Sequence, residues 1–201
     1  MSKAFEHIRD VIEKAAAGRD RFLVAIDGRC ASGKSTLGRY LVRQLPAGMV
    51  LMDDFFLRPS QRTPERYAQP GGNVDRERVR AEVIDPFLHG DPISYQPFDC
   101  SRMELADRIS VPAAPILILE GSYSLHPYLR DAYDLKIFLS VSPEEQQRRL
   151  LLREGPSRLQ DFNERWIPLE ERYFEAMNPA ACADIVLDTS EVQNEDTEFE
   201  L

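Results

Sequence analysis

The sequence predicts a three-layer α/β fold, in which helices cover both faces of a five-stranded parallel sheet. Three observations predict it: five short apolar runs, amphipathic segments between them, and a glycine-rich loop directly after the first run. The runs are FLVAI (22–26), MVLM (49–52), ILIL (116–119), LKIFLSV (135–141) and DIVLD (184–188). Because the runs are almost continuously apolar, both faces of each strand should be buried, as in a parallel sheet covered by helices.

Two helices are predicted where apolar residues recur at helical spacing, in residues 34–45 and 75–88. Their apolar faces consist of Leu37, Tyr40, Leu41 and Leu45 in the first and Val79, Val83, Phe87 and Leu88 in the second. The strands therefore alternate with helices, which is typical of βαβ units.

Two further helical segments are predicted near the C-terminal end. Residues 143–154 follow Ser142, which can cap a helix, and begin with a proline and two acids, a typical helix start. Residues 158–177 also have a helical pattern, which Pro168 should kink or split.

The length and composition predict one domain over residues 1–201. Hydrophobic residues make up 43% of the chain and charged residues 29%, which is typical of a soluble globular protein with a sizeable core. Residues 56–112 are rich in proline and glycine, and we expect ordered loops around one helix, as an insertion on the substrate side. The acidic residues 189–201 are expected to form a flexible tail.

The charge and the cysteines exclude several classes of function. The net charge of −9 disfavours nucleic acid or an anionic membrane surface as a partner. Cys30, Cys100 and Cys182 are scattered, which argues against a disulfide framework and a zinc site. The chain opens on a charged, helical stretch without an apolar signal core, so a cytoplasmic protein is expected. A homo-oligomer stays open.

The loop GRCASGKST, Gly28 to Thr36, fits the pattern G-x-x-x-x-G-K-[ST] between a strand and a helix. Gly28 and Gly33 let the backbone curl so that its N–H groups face a phosphate, and the next helix points its positive end at the same place. Lys34 can reach the β- and γ-phosphates, and Ser35 can bind Mg²⁺. This predicts a P-loop NTPase fold that binds Mg-ATP, although GTP is not excluded. The nucleotide-binding candidates in the loop are Gly28, Ala31, Ser32, Gly33, Lys34, Ser35 and Thr36.

Acids follow two of the other predicted strands. Glu120 ends ILIL, where P-loop proteins often place an acid that binds magnesium, so Ser35 and Glu120 are the metal candidates. Asp53 and Asp54 follow MVLM and precede Phe55 and Phe56. A carboxylate beside the P-loop can orient an acceptor hydroxyl and take its proton. The aromatic rings suit a ringed acceptor, which water-activating NTPases do not need.

Five stretches in this order resemble the uridine kinase and nicotinamide riboside kinase group of P-loop small-molecule kinases. They are GRCASGKST, MDDFF, PGGNVD, YQPFDC and ILEGSYSL, and the resemblance covers roughly residues 20–190. It implies that Asp53 is the general base, with Asp54 secondary and Phe55 and Phe56 near the substrate. It also implies that Glu120 belongs to the magnesium site.

The same resemblance implies that YQPFDCSR contacts the acceptor through Tyr95 and Phe98. Phe98 stands where uridine kinases have a tyrosine, and Gln69 lies near the place of an aspartate that binds ribose hydroxyls. These departures leave the acceptor open among nucleosides and related small molecules. Asp75 is expected to be the N-cap of the following helix.

The arginines of residues 143–165 are candidates for a helical lid over the nucleotide. Arg149 and Arg153 are four residues apart, on one helix face, and the resemblance supports both as catalytic lid residues. Arg158 is a nucleotide-binding candidate on the return of the lid. The alternative is a solvated face on which these arginines pair with Glu144, Glu145 and Glu154. Trp166 is expected to pack beneath the lid.

The sequence thus favours an ATP-dependent kinase of a small-molecule hydroxyl, with ATP and Mg²⁺ as cofactors. The alternatives within the class are pantothenate, nicotinamide riboside and phosphoribulose-type kinases. A nucleotide-hydrolysing regulatory switch is disfavoured because no guanine-recognition signature is visible. A binding module that has lost activity is disfavoured because Lys34, Ser35, Asp53 and Glu120 are all present.

Overall fold

The computed structural model describes residues 3–192, and a five-stranded parallel sheet forms its centre. The strands are β1 (Phe22–Gly28), β2 (Ala47–Leu51), β3 (Ile116–Glu120), β4 (Leu135–Ser140) and β5 (Ile185–Asp188). Their order across the sheet is β2-β3-β1-β4-β5, and each neighbouring pair is parallel. Every predicted apolar run is thus a strand of this sheet, which confirms the predicted fold class.

The helices surround this sheet and include two wide, π-type turns. The α-helices are α1 (Lys3–Ala16), α2 (Lys34–Gln44), α3 (Pro64–Ala68), α4 (Arg76–Val79), α5 (Asp85–His89), α6 (Pro143–Asp161), α7 (Ile167–Met177) and α8 (Pro179–Cys182). π turns at Arg80–Ile84 and Phe162–Trp166 join α4 to α5 and α6 to α7. Short 3₁₀ turns lie at Met52–Phe55, Pro59–Gln61 and Arg130–Ala132. None of the helices in residues 3–192 has the length and apolar content that crossing a membrane requires.

Alternate residues of β1 belong to two cores on opposite faces of the sheet. Val24 and Ile26 pack with the apolar residues of α1 and α2. Leu23 and Ala25 pack with the helical segment 76–89 and with α7. Because successive side chains of a strand point to opposite faces, a strand buried on both sides must be apolar throughout. This explains the unbroken apolar runs.

The register of the sheet aligns the ends of three strands. Ile26 in β1 pairs with Glu120 in β3, and Leu51 in β2 pairs with the same glutamate. The loop after β1, the acid at the end of β3 and the turn after β2 therefore meet at one edge. In parallel α/β sheets the ligand site lies at this carboxyl edge.

One residue of the predicted apolar face in 75–88 is misplaced. Val79, Val83 and Phe87 are buried, but Leu88 is 39% exposed and Ile84 is fully buried. The π turn at Arg80–Ile84 is the reason, because a wider turn changes the angular position of the residues that follow it. The prediction for Leu88 was wrong.

The helical segments near the C-terminal end agree with the prediction in their start and their breaks. Ser142 Oγ accepts a hydrogen bond from the Glu145 N–H, and Pro143 is the first residue of α6. Helix α6 continues past 154 to Asp161, although Gly155 has a non-helical backbone (φ 77°, ψ 172°). The second predicted segment contains a π turn directly before α7, of which Pro168 is the second residue.

The insertion and the tail differ in part from expectation. Residues 56–112 contain a short extra helix, α3, and two antiparallel pairs of two-residue strands, Ser94–Tyr95 with Ile109–Ser110 and Phe98–Asp99 with Glu104–Leu105. Thr189 is buried, and its hydroxyl lies 2.9 Å from the carbonyl oxygen of Ser32. The first residue of the predicted tail is thus packed, and residues 193–201 lie outside the described residues.

Candidate active site

The phosphate loop between β1 and α2 has the backbone shape that the motif predicts. A Cβ atom on Gly28 would collide with the carbonyl oxygen of Leu139 in the neighbouring strand, so no larger residue fits there. Gly33 has φ 91° and Ala31 has φ 59°, both in the left-handed region. These conformations turn the chain back on itself before the helix begins, and glycine adopts them without steric cost.

The first turn of α2 leaves backbone donors free for an anion. No side chain caps this helix, and within residues 3–192 the N–H groups of Gly33, Lys34, Ser35 and Thr36 have no acceptor. Unpaired N–H groups at the start of a helix of this length form an anion site, which the helix dipole reinforces. The loop therefore fits a phosphate. Ser32 can contribute only its backbone, because its side chain is fully buried.

Lys34 is held inside the loop. Its ammonium donates to the carbonyl oxygens of Gly28 (2.9 Å) and Arg29 (2.8 Å), and the side chain is only 8% exposed. These carbonyls satisfy a charge that would otherwise be costly to bury. A phosphate in the loop would be a stronger acceptor for the same ammonium.

The two predicted metal ligands lie together. The Ser35 hydroxyl donates to Glu120 Oε1 at 3.2 Å, and Glu120 is 4% exposed. Burial raises the pKa of Glu120, whereas Lys34 lowers it. A hydroxyl and a carboxylate oxygen are donors that Mg²⁺ accepts beside a phosphate. The pair fits a magnesium ion, although no cluster of three or more His, Cys, Asp or Glu residues in the described chain could hold a metal without a substrate.

Asp53 lies in the 3₁₀ turn after β2, at the same edge of the sheet. The residue is exposed, yet the protein around its carboxylate raises its pKa by desolvation. Lys34 and Arg153 act in the opposite direction and lower that pKa. The carboxylate is therefore close enough to Lys34 in the phosphate loop and to Arg153 in α6 for their charges to act on it. An ionised carboxylate with a raised pKa is suited to general-base chemistry.

Asp54 points to a different partner. Tyr95 OH donates to Asp54 Oδ2 at 2.7 Å, and Tyr95 itself is only 2% exposed. Desolvation raises the pKa of Asp54, and the hydrogen bond from Tyr95 lowers it. The structure therefore brings Tyr95 to the paired acids, but as a partner of Asp54 beneath the cleft.

The aromatic residues predicted to contact the substrate divide into two groups. Phe55 is fully buried in the core, with its ring 4.8 Å from that of Tyr95, so its assignment to the substrate was wrong. Phe55 is the last residue of the 3₁₀ turn, whereas Phe56 follows it with an extended backbone, so the two rings have different surroundings. Phe56 is half-buried, and its ring lies 5.7 Å from that of Trp166. Phe98 is 5% exposed and lies beneath the guanidinium of Arg62.

The three lid arginines have different surroundings. Arg149 is engaged by protein: Nε donates to Glu145, Nη1 to the carbonyl oxygen of Ala31, and Nη2 to that of Thr189 at 2.6 Å. It therefore joins α6 to the loop and to the chain after β5, and these contacts contradict its assignment to a transferring phosphoryl group. A guanidinium whose N–H groups already have acceptors has no pair of N–H donors left to bind a phosphate.

Arg153 and Arg158 remain accessible on α6. Arg153 is 55% exposed and pairs with Glu154 at 2.8 Å, and its charge lowers the pKa of Asp53 and of Cys30. Arg158 is 68% exposed and pairs with the same glutamate at 3.3 Å. Exposed ion pairs are weak, so a phosphate can compete for either guanidinium. Of the two, Arg153 faces the loop.

Several residues that hold the loop were not predicted from the sequence. Asp27 is fully buried and accepts from the N–H groups of Gly28, Tyr123 and Leu125; burial raises its pKa to about 6. Glu170 in α7 accepts from the Cys30 N–H (2.9 Å) and from the Ser122 hydroxyl (2.6 Å). An acid directly after FLVAI was a visible signal for Asp27, but no local signal exists for Glu170.

Cys30 in the phosphate loop contacts residues of both α6 and α7. Gln146 of α6 donates to its carbonyl oxygen at 3.0 Å, opposite the contact with Glu170. Burial raises the pKa of the Cys30 thiol to about 12, so the thiol stays protonated. Cys30 therefore packs in the loop as a small, neutral side chain.

The chain is similar in sequence to two uridine-cytidine kinases. Over 120 residues the chain is 25% identical to uridine-cytidine kinase C of Dictyostelium discoideum, covering 59% of this chain and 26% of that one. Over 197 residues it is 24% identical to uridine-cytidine kinase 2-B of Danio rerio, covering 87% and 72%. The chain thus spans about a quarter of the first relative. No protein-family profile matches it.

The fold is similar to that of a solved structure described as a possible uridine kinase from Bacillus stearothermophilus. The TM-score is 0.70 at 19% identity, with 92% of this chain and 97% of that chain covered. This likeness concerns the fold. The chain is also similar in sequence to the two uridine-cytidine kinases.

Proposed function

We propose that the protein transfers the terminal phosphoryl group of ATP to a hydroxyl of a nucleoside or a related small molecule. One observation carries this proposal: the phosphate loop, the Ser35–Glu120 pair and Asp53 meet at one edge of the sheet. This arrangement brings backbone donors for phosphate and a carboxylate to the same edge of the sheet. Phosphoryl transfer depends on such positioning and charge neutralisation more than on reactive side chains.

The loop and Lys34 would hold the nucleotide. The free N–H groups of Gly33, Lys34, Ser35 and Thr36 bind phosphate oxygens, and Lys34 exchanges its carbonyl partners for the β- and γ-phosphates. Mg²⁺, held by Ser35 and by Glu120 directly or through water, would neutralise charge on the triphosphate. Glu120 is already buried beside Ser35, so its carboxylate needs no large movement.

Asp53 would act as the general base. Its carboxylate accepts a hydrogen bond from the acceptor hydroxyl and takes the proton as the hydroxyl oxygen bonds to the γ-phosphorus. The bond between the γ-phosphorus and the bridging oxygen breaks, and ADP leaves. Desolvation raises the pKa of Asp53, and the nearby charges of Lys34 and Arg153 oppose that shift by favouring the ionised form.

The lid on α6 would supply Arg153, and Arg158 on its return, to the phosphate oxygens. Both guanidiniums are now in exposed pairs with Glu154 and can reorient. The non-helical backbone at Gly155 provides a bend between them. A lid closed over the cleft excludes water, which would otherwise accept the phosphoryl group.

Kinases of other small metabolites, of the pantothenate, nicotinamide riboside or phosphoribulose type, share these parts and remain the alternative. A regulatory switch fits less well, because it would leave Asp53 without an acceptor. The preference for ATP over GTP, a cytoplasmic location and homo-oligomerisation stay predictions.

An acceptor panel tests the proposal. We expect ADP release to rise at least about tenfold when the correct hydroxyl compound is added, because water is a poorly positioned acceptor. The panel should contain nucleosides, nicotinamide riboside, pantothenate and ribulose 5-phosphate. Slow ADP release that no compound raises would contradict the kinase and favour a hydrolytic switch.

A further inference from the structure

Two groups of cations lie near the turn that carries Asp53. Lys34 and Arg153 form the first group, and both lower the pKa of Asp53. Arg62 and Arg165 form the second group, and both lower the pKa of the Cys100 thiol, which Asp53 raises. We call the loop 28–36 with Glu120 and Arg153 the phosphate side. We call Asp53, Phe56, Arg62, Cys100, Arg165 and Trp166 the acceptor side.

Hydrogen bonds and ring contacts fix Arg62 on the acceptor side. Its Nε donates to the carbonyl oxygen of Leu57 at 2.8 Å, four residues after Asp53. Its guanidinium lies over the Phe98 ring, 5.2 Å from the centroid. The side chain is half-buried, so the ring and the carbonyl hold the guanidinium in one place, and its Nη atoms have no hydrogen-bond partner within residues 3–192.

Arg165 reaches the same segment through two aromatic rings. Its guanidinium lies 4.5 Å from the centroid of Trp166, whose ring lies 5.7 Å from that of Phe56. Arg165 belongs to the π turn between α6 and α7, so it approaches from the lid. Two arginines from distant parts of the chain therefore flank the turn that carries Asp53.

Neither Arg62 nor Arg165 has an acidic partner in the described part of the chain, unlike most arginines of residues 56–112. Neither Arg62 nor Arg165 lies within 4 Å of a carboxylate anywhere in residues 3–192, in a chain with 34 acidic residues. Six of the eight arginines in residues 56–112 do have such a partner. These are Arg58, Arg66, Arg76, Arg78, Arg80 and Arg102.

We propose that the phosphate acceptor carries an anionic group, a carboxylate or a phosphate, which binds between Arg62 and Arg165 while its hydroxyl faces Asp53. This inference rests on the proposed kinase function and adds the charge of the substrate. Guanidinium groups bind carboxylate and phosphate oxygens through paired N–H donors. A neutral nucleoside would leave two cations without a counter-charge beside the general base.

Matched pairs of acceptors test the inference. Pantothenate is compared with its neutral alcohol analogue, and ribulose 5-phosphate with ribulose, each as acceptor of the wild-type protein. We expect kcat/KM for the anionic member of at least one pair to exceed that of its neutral partner roughly tenfold or more. The two pairs distinguish a carboxylate from a phosphate.

Two variants assign the effect to the arginines. Arg62→Gln and Arg165→Gln should each raise KM for the anionic acceptor roughly tenfold and leave KM for ATP within about twofold. Arg62→Lys should restore part of the loss. Arg9→Gln is the control, because Arg9 is in α1 and pairs with Asp10 on the far face of the sheet.

Three outcomes would overturn the inference. A wild-type preference for neutral acceptors would remove it and leave the kinase proposal intact. A rise in KM for ATP with an unchanged acceptor KM would assign the two arginines to the nucleotide. ADP release that no acceptor raises, neutral or anionic, would remove the proposed function itself.

Discussion

The phosphate side and the acceptor side of the cleft are built in different ways. The phosphate side consists mainly of backbone N–H groups from one continuous loop, together with Lys34 and Ser35 from the same loop. The acceptor side is assembled from side chains that lie far apart in the sequence, such as Asp53, Arg62 and Arg165. The difference suggests that the triphosphate is recognised by local backbone shape, and the acceptor by tertiary packing.

Removing the loop lysine should give the largest loss. We expect Lys34→Ala to lower kcat/KM by about 10⁴-fold and to weaken ATP binding, because a charge directed at the transferred phosphate is lost. Single-turnover kinetics and ATP titration measure the two effects. Lys136→Ala, which removes a partly exposed lysine paired with Asp184, is the control. Normal turnover by Lys34→Ala would contradict the role of the loop.

Asp53→Asn gives the clearest test of the difference between the two sides, because it should reduce phosphoryl transfer without weakening ATP binding. We expect transfer to fall by roughly 10²–10⁴-fold, the scale of a lost acid–base group. ATP affinity should hold or improve, since a negative charge facing the loop is removed. Asp54→Asn is the comparison, because Asp54 is bonded to Tyr95 and faces away from the loop. Equal losses in both variants would place the base elsewhere.

The burial of Phe55 in the core predicts that its removal lowers stability. Phe55→Ala should lower the free energy of unfolding by about 3–5 kcal/mol, because it leaves a cavity beside Tyr95 in the core. Phe56→Ala should cost less, since Phe56 is half-buried, and should change the acceptor KM instead. Denaturant unfolding and steady-state kinetics measure the pair. If Phe55→Ala leaves the free energy of unfolding unchanged and raises the KM for the acceptor, Phe55 contacts the substrate after all.

The smallest expected effect is a shift in the pH profile. The pKa of Asp53 is raised by desolvation and lowered by Arg153, and the carboxylate must be ionised to act as a base. Activity should therefore fall as pH drops through this pKa. Arg153→Gln removes a cation that favours the ionised form, so the acidic limb of kcat/KM should move to higher pH.

Arg62→Gln is the matched control, since Arg62 is not among the groups that shift the pKa of Asp53. If the acidic limb of kcat/KM lies at the same pH in the wild type and in Arg153→Gln, Asp53 is not the group that titrates.

The phosphate side could be predicted because its signals are local. The apolar run FLVAI, the two glycines and Lys34 define strand, loop and helix within fifteen residues. The acid Glu120 ends its own apolar run and meets Ser35 through sheet register alone. Such patterns need no knowledge of distant contacts.

The acceptor side could be predicted only in part. Asp53 ends a strand, so its location followed from the fold, but the choice between Phe55 and Phe56 depends on how a 3₁₀ turn points its side chains. Arg149 and Arg153 share a helix face, yet only the packing of the chain after β5 shows that Arg149 is engaged. Glu170 contacts a loop residue 140 positions earlier, which no spacing rule indicates.

The contacts of Thr189 have a practical consequence for engineering. Its hydroxyl and carbonyl join the backbone of Ser32 and the guanidinium of Arg149 to the last strand. A truncation or a fusion point at residue 188 would therefore remove an anchor of the phosphate loop, although it spares every residue proposed to bind the triphosphate. Linkers attached after Val192 would keep the contacts of Thr189 in place.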